Sequence, residues 1–414
     1  MSTPRIGRSA ASTRLPVLVY VLAAGIFLMG TTEFMIAGLL PEVAADLNVD
    51  IGKAGLLVTA FAVGMIIGPP VMALATLRLP TRATLAGALA VFAAGHVVAA
   101  VTDSFTVVTA SRVVTALATG TFWATGAVVA TAVAGPAASA RALAVMSGGL
   151  SLAVVAGVPL GTFAGQFTGW RGPFWILAVS SVPALVAVLR LAPAASTGER
   201  VSVRAEVSTV RPWRVWAVLA AITLAQAGFL GAYSFISPLL TDRAGIAASL
   251  VPLVLVGFGI GALGGTALGG RLGDRWPFPV IAAAVTTTSV LLLVLALTAG
   301  HAPMVVVVAV VVVLGASGLG ANPVLIAQTL RFAGHGSRLT SSLATAAFNL
   351  GTAAGSALAA TTLTTGLGVA GPAVLGAAVT ATALIPVAVL AARAPAGAPT
   401  RHRKDPIREP VGVS

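Results

Sequence analysis

The sequence predicts an all-α integral membrane protein: twelve transmembrane helices in two six-helix, pseudo-symmetric bundles. Three observations predict it: an apolar composition almost without charge, twelve apolar stretches long enough to cross a bilayer, and basic residues confined to alternate connections. Of 414 residues, 57% are hydrophobic and 8% charged, with mean hydropathy +1.01, whereas a soluble domain is roughly a quarter charged. Such a chain has no polar coat to offer water.

The elements follow in order. Residues 1–14 form an N-terminal tail carrying Arg5, Arg8 and Arg14. The apolar run after it, 15–40, is too long for the core of a cleaved signal peptide and reads as the first span. A helical span needs about 20 predominantly apolar residues, and cutting at charges, prolines and loop residues gives 52–76, 82–102, 105–133, 140–166 and 172–192 as the next five. A polar segment, 193–212, with prolines, serines and Glu199, Arg200, Arg204, Glu206 and Arg211, reads as a cytoplasmic linker. The second set is 213–240, 248–270, 278–299, 302–330, 339–366 and 369–393, and 394–414 is an Arg-rich cytoplasmic tail. The predicted organisation is therefore a bundle over 15–192 and a second over 213–393.

The formal charge of +13 would suggest a nucleic-acid partner if the basic groups formed a patch. They do not. Of the 24 Lys and Arg residues, all but Lys53, Arg112, Arg171 and Arg243 fall on the side of the two termini. This bias predicts a multi-pass protein of the cell membrane with both termini cytoplasmic, so the charge reports topology. There is no cysteine, and the four histidines are scattered without ligand spacing, which excludes disulfides and thiolate metal sites. No phosphate-binding G-x-x-x-x-G-K-[ST] motif is present, so no nucleotide cofactor is expected and ATP does not drive the protein directly.

An internal repeat supports the two halves. An offset of about 197 positions brings Phe61, Gly64, Gly68, Arg78 and Pro80 over Phe258, Gly261, Gly265, Arg275 and Pro277. Small residues at spacing four line the second, fifth, eighth and eleventh spans, among them Gly64/Gly68, Gly157/Gly161/Gly165, Gly257/Gly261/Gly265 and Gly351/Gly355. Such faces allow close helix approach, which reads first as static packing; the helices that carry them are expected to meet across the boundary between halves, where some faces could slide during transport.

Three motifs carry a resemblance. The turn GGRLGDRWP, through Gly270, Leu272, Asp274 and Arg275, resembles the G-x-L-a-D-R-x-G signature of the major facilitator superfamily. The fifth span, AGVPLGTFAGQ, is similar to the antiporter motif of that superfamily's twelve-span drug:proton antiporters. The opening GTTEFMIAGLLPEVAADL resembles chloramphenicol-resistance exporters and sugar-efflux permeases. The first-half copy of the turn departs from the signature, with Leu77 in place of its Asp and Pro80 in place of its Gly; in the fourth span Arg112 is followed by Thr115 and Ala116 where the family has Gln-Gly. The resemblance implies a major facilitator fold and export of small amphipathic drugs, chloramphenicol-like ones favoured, in exchange for protons. Export of sugars or other metabolites is the alternative. It also implies that Gly157, Pro159 and Gly161 shape an outward leak barrier, and that Arg271, Asp274 and Arg275, with Arg78 in the other copy, gate the cytoplasmic side.

Ionisable groups at membrane depth are costly and usually face a cavity or a partner. Glu33 and Arg112 each lie roughly 10 Å inside the same membrane face, so they are the expected proton-coupling pair, with a fixed structural ion pair as the other reading. His96, at similar depth, is expected to be neutral and bonded to a backbone carbonyl. Substrate-lining candidates in the central helices are Phe34, Phe122, Trp123, Gln226, Phe229, Tyr233, Asn322, Phe348 and Asn349. No convergent catalytic set or metal cluster is present, so no enzymatic activity is expected. The expected partners are a small-molecule drug, protons and the lipid bilayer, with a monomer as the working unit and the proton gradient as the energy source.

Overall fold

A computed structural model describes residues 15–75, 79–135, 138–194, 210–273, 275–333 and 338–393. Its described residues are helical or in turns, and twelve helices are long and apolar enough to span a membrane. These are α1 (Val17–Gly38), α2 (Ile51–Pro69), α3 (Thr81–Val101), α4 (Phe105–Ala134), α5 (Arg141–Thr168), α6 (Arg171–Leu191), α7 (Trp213–Tyr233), α8 (Ala248–Gly273), α9 (Pro277–Thr298), α10 (Met304–Ala333), α11 (Ser342–Thr362) and α12 (Gly368–Ala392). Each coincides with a stretch cut from the sequence. An even number of crossings brings both chain ends to one face, here the terminal end; the opposite face is the far end. The two tails, most of the 193–212 linker, Arg78 and Asp274 lie outside the described residues.

The pseudo-symmetry is visible in which helices touch. In the first half, Gly64 of α2 packs against Val113 and Ala116 of α4, and Gly157 of α5 against Thr31 of α1. In the second, Gly261 of α8 packs against Val312 and Ala316 of α10, and Gly351 of α11 against Thr223 and Ala227 of α7. The partners of α2 and α5 are thus repeated by α8 and α11. Both α4 and α10 are 30 residues long.

The four helices meet across the boundary as expected, α2 with α11 and α5 with α8. Their spacing-four glycines do not line that contact, however; each faces a helix of its own half. Gly161 and Gly165 continue the same groove, receiving Met35 and Leu39 of α1. The physical reason is that lipid is as apolar as a leucine side chain, so helices of one bundle hold together by close contact rather than by expelling water. A glycine groove supplies that contact.

In α5 the residues Ala153–Gly157 form a π-turn, closed by the Val158 N–H on the Ala153 carbonyl. Pro159 follows within the first turn of Val158–Thr168. Proline has no N–H for the carbonyl four residues back, and a local π adjustment is how a membrane helix absorbs that loss.

Candidate functional site

The halves meet near the far end and at mid-membrane. There the Thr59 and Ser356 hydroxyls share a hydrogen bond of 2.7 Å between α2 and α11. Gly52 faces Ala360, Gly38 faces Leu255, and Gly55 faces the buried ring of Phe235. Gln166 at the end of α5 donates from Nε2 to the Ala248 carbonyl at the start of α8, and deeper in the bundle Gly259 of α8 lies against the backbone of Val154 and Val155 in the π-turn. These contacts form a seam of small groups.

Beneath the seam lies a small cavity. Its walls are Glu33, Phe34 and Ala37 of α1, Val58, Phe61 and Ala62 of α2, Leu230, Tyr233 and Ser234 at the end of α7, and Asn349 and Thr352 of α11. Both halves contribute. The walls are apolar and aromatic, with one carboxylate. Several of their polar groups are already engaged: Ser234 Oγ donates to the Leu230 carbonyl, Thr352 Oγ1 to the Phe348 carbonyl, and Asn349 Nδ2 to the Thr345 carbonyl. Glu33 and the Tyr233 hydroxyl are left to meet an occupant.

The candidates read from the sequence divide on this geometry. Glu33, Phe34, Tyr233 and Asn349 line the cavity; the other six candidate lining residues do not. Phe122 is fully buried against Gly25 of α1, filling a groove inside the first half. Trp123 is half-buried against the hydrophobic core shared by the two halves. Phe229 stacks with Phe258 at 6.1 Å and abuts Gly318, so it is internal to the second half. Gln226 Nε2 donates to Asn322 Oδ1 at 2.7 Å, leaving the buried Gln226 Oε1 without a partner. Phe348 packs against the core of the second half. The sequence reading missed Ala37, Val58, Phe61, Ala62, Leu230, Ser234 and Thr352. The signal that could have found them is positional: 58, 61 and 62, like 230, 233 and 234, share one helix face.

Arg112 is buried at the level of Glu33 but makes no ion-pair contact with it. Its Nη1 donates to the Thr32 carbonyl at 3.0 Å and to Thr32 Oγ1 at 2.9 Å, and its Nε to the Leu57 carbonyl at 3.4 Å. The guanidinium carbon lies 4.4 Å from the ring centroid of Phe61, which lines the cavity. Nη2 has no hydrogen-bond partner. The two charges are near enough to interact electrostatically, yet the arginine is fixed by neutral groups and the carboxylate is left facing the cavity. His96 is also buried, with Nδ1 2.7 Å from the Phe92 carbonyl and Nε2 2.8 Å from Thr32 Oγ1.

At the terminal end, Arg271 and Arg275 are exposed and Arg275 stacks on Trp276 at 4.7 Å; their expected partner Asp274, and Arg78, lie outside the described residues. Among the described residues no group of three or more His, Asp and Glu side chains could hold a metal ion.

Residues 22–342 match the family profile of the Major Facilitator Superfamily. The chloramphenicol resistance protein of Streptomyces lividans is 38% identical over 363 residues, covering 86% of this chain and 92% of that one. Inner membrane transport protein YdhP of Escherichia coli (strain K12) is 33% identical over 374 residues, covering 90% and 96%. Among solved structures, the peptide transporter POT in complex with alafosfalin superposes with a TM-score of 0.71 at 16% identity, covering 91% of this chain and 94% of that one. A bacterial homolog of the human lysosomal transporter Spinster gives 0.66 at 15% identity, covering 90% and 95%. The chain therefore belongs to the Major Facilitator Superfamily of multi-pass membrane transporters.

Proposed function

We propose that the protein exports small amphipathic drugs, chloramphenicol-like compounds foremost, in exchange for protons by alternating access in the cell membrane. One observation carries the reading: Glu33 is the only carboxylate within the twelve spans, and it lines the cavity to which both halves contribute. A single acid in an otherwise apolar, aromatic chamber suits a cycle in which a proton and an uncharged or cationic aromatic drug take turns at one site. The chamber offers few free hydrogen-bonding groups, which speaks for drugs over sugars. The similarity to a chloramphenicol resistance protein supports the substrate class.

The distribution of basic residues supports a cytoplasmic terminal end, with the far end toward the outside. In this conformation the site would exchange with the cytoplasm, where a drug is collected. The single chain is the working unit, and the proton gradient supplies the energy.

The test is Glu33→Gln in proteoliposomes, followed by chloramphenicol uptake against its gradient under an imposed proton gradient, and by chloramphenicol counterflow without one. Gradient-driven transport is expected to be lost and counterflow kept. Unchanged gradient-driven transport in Glu33→Gln would remove the proton role from this residue.

A further inference from the structure

Arg112, His96 and Thr32 come from α4, α3 and α1, and their hydrogen bonds assign a direction to every proton between them. Nδ1 of His96 faces the Phe92 carbonyl at 2.7 Å, which only accepts, so Nδ1 carries the proton. In the neutral ring Nε2 is then an acceptor, and the Thr32 hydroxyl, 2.8 Å away, must donate to it. The hydroxyl proton is thereby spent, and only lone pairs remain for Arg112 Nη1 at 2.9 Å, which only donates. Each atom has one role. A doubly protonated ring would press a second donor on the same oxygen and leave the hydroxyl proton without an acceptor. The ring is also held in place sideways, by Phe92 at 4.1 Å and Phe174 at 5.5 Å between centroids.

We propose that His96 is a positioning residue for Arg112, acting through the Thr32 hydroxyl, and that the two set the angle at which the guanidinium confronts Glu33. The proposal rests on the antiport reading for its functional consequence, but not for its geometry. Thr32 precedes Glu33 in α1, so a guanidinium tied to the Thr32 carbonyl and hydroxyl moves with the backbone that carries the carboxylate. One guanidinium nitrogen, Nη2, stays unpartnered in this state, the group free to answer a change at Glu33. The fold itself does not require the arrangement. In the second half α9 has no histidine, α10 has no basic residue before Arg331, and Phe229 stands at the position offset by 197 from Thr32.

The first measurement is spectroscopic and independent of transport. In protein carrying ¹⁵N-histidine and held in lipid nanodiscs, the His96 signals are those missing from His96→Gln. A proton on Nδ1, a bare Nε2, and an Nε2 signal that moves in Thr32→Val and returns in Thr32→Ser are expected. A proton on Nε2, or no response to Thr32→Val, would overturn the proposal.

The second is the pH profile and kinetics of chloramphenicol-driven proton movement in proteoliposomes. Thr32→Val is expected to lower the maximal rate about tenfold or more, the weight of one hydrogen bond to a charged donor, and to shift the pH profile with little change in KM; Thr32→Ser is expected to restore both. An unaltered rate and profile in Thr32→Val, alongside lost coupling in Arg112→Gln, would also overturn it. If the unmodified chain moves no protons with chloramphenicol, the antiport reading falls, and the nanodisc spectra alone decide the assignment of His96.

Discussion

The seam at the far end can be loaded with a single methyl group. A Cβ on Gly55 would stand 2.7 Å from Cε1 of Phe235 and nearer still to its Cζ, well inside ordinary carbon contact, and the ring is buried with 1% exposure. Phe235 belongs to the other half, so Gly55→Ala forces either an off-rotamer ring or a widening of the seam. Overpacking of this kind costs about 1–3 kcal/mol. If the seam is closed only in the conformation described, that cost falls on this state alone and shifts the equilibrium toward the opposite one by about 5- to 150-fold. The assay uses the absence of native cysteine: Thr59→Cys with Ser356→Cys replaces the two hydroxyls that share a 2.7 Å hydrogen bond and makes the chain's only thiol pair. The yield of that cross-link under a brief pulse of membrane-permeant oxidant reports seam closure. It should fall in Gly55→Ala and hold in Gly264→Ala, where an added Cβ meets nothing within 4 Å. An equal yield in both would refute the claim that the Gly55–Phe235 contact holds the far end shut.

Within the first half, Gly157→Ala should lower thermal stability in detergent by about 1–3 kcal/mol, because its methyl would meet Cβ of Thr31 at 3.1 Å and the Thr31 hydroxyl is held on the Phe27 carbonyl at 2.8 Å. Adding Thr31→Ala should recover part of the loss, and a strictly additive double variant would show that the two do not compete for space. Outside the spans, the indole N–H of Trp170, with the Arg171 guanidinium, holds the Asp46 carboxyl below its usual range. That contribution is complete above roughly pH 4 and is lost as pH falls through the lower folded-state value. Melting curves should therefore show an acid limb that Asp46→Asn flattens, a small one because the side chain is 45% exposed; an identical limb in Asp46→Asn would exclude this staple.

The spans were legible because their signal is length and hydropathy. The cavity was less so. In water an amphipathic pattern marks the inner face of a helix, but in a bilayer both faces are apolar, and Val58 and Ala62 look no different from the lipid-facing Val63 and Ile67. Selection by residue type therefore found Phe34, Tyr233 and Asn349 but also took in Phe122 and Phe229, whose rings serve glycine notches at Gly25 and Gly318. Spacing-four glycines announced close packing without naming the partner. The Arg112 environment was out of reach for a related reason: Thr32 is one unremarkable threonine among many, and only the approach of α3 and α4 to α1 shows that it sits between His96 and Arg112.

The two kinds of helix contact differ in what holds them, and the difference bears on how the molecule could move. Inside each half, glycines bring backbones together: Gly261 and Gly265 against α10, and Gly351 and Gly355 against α7. Those grooves fit one partner at one register and lose their dispersion contacts when it shifts by even a fraction of an ångström. Between the halves the described contacts are of mixed kind: one hydroxyl pair, one glutamine on a carbonyl, the edges of Phe235 and Leu255 over glycines, Gly52 against Ala360, and a close backbone approach of Gly259 to Val154 and Val155. An interhelical hydrogen bond in a membrane averages only about 0.6 kcal/mol. The polar links across the seam are therefore cheap to break, which suits two halves that rock about a shared site. The chemistry of the site then need not be symmetric. Its one acid and its one buried arginine both lie in the first half, so the second half contributes wall and leverage while the charge that changes during the proposed cycle stays on α1.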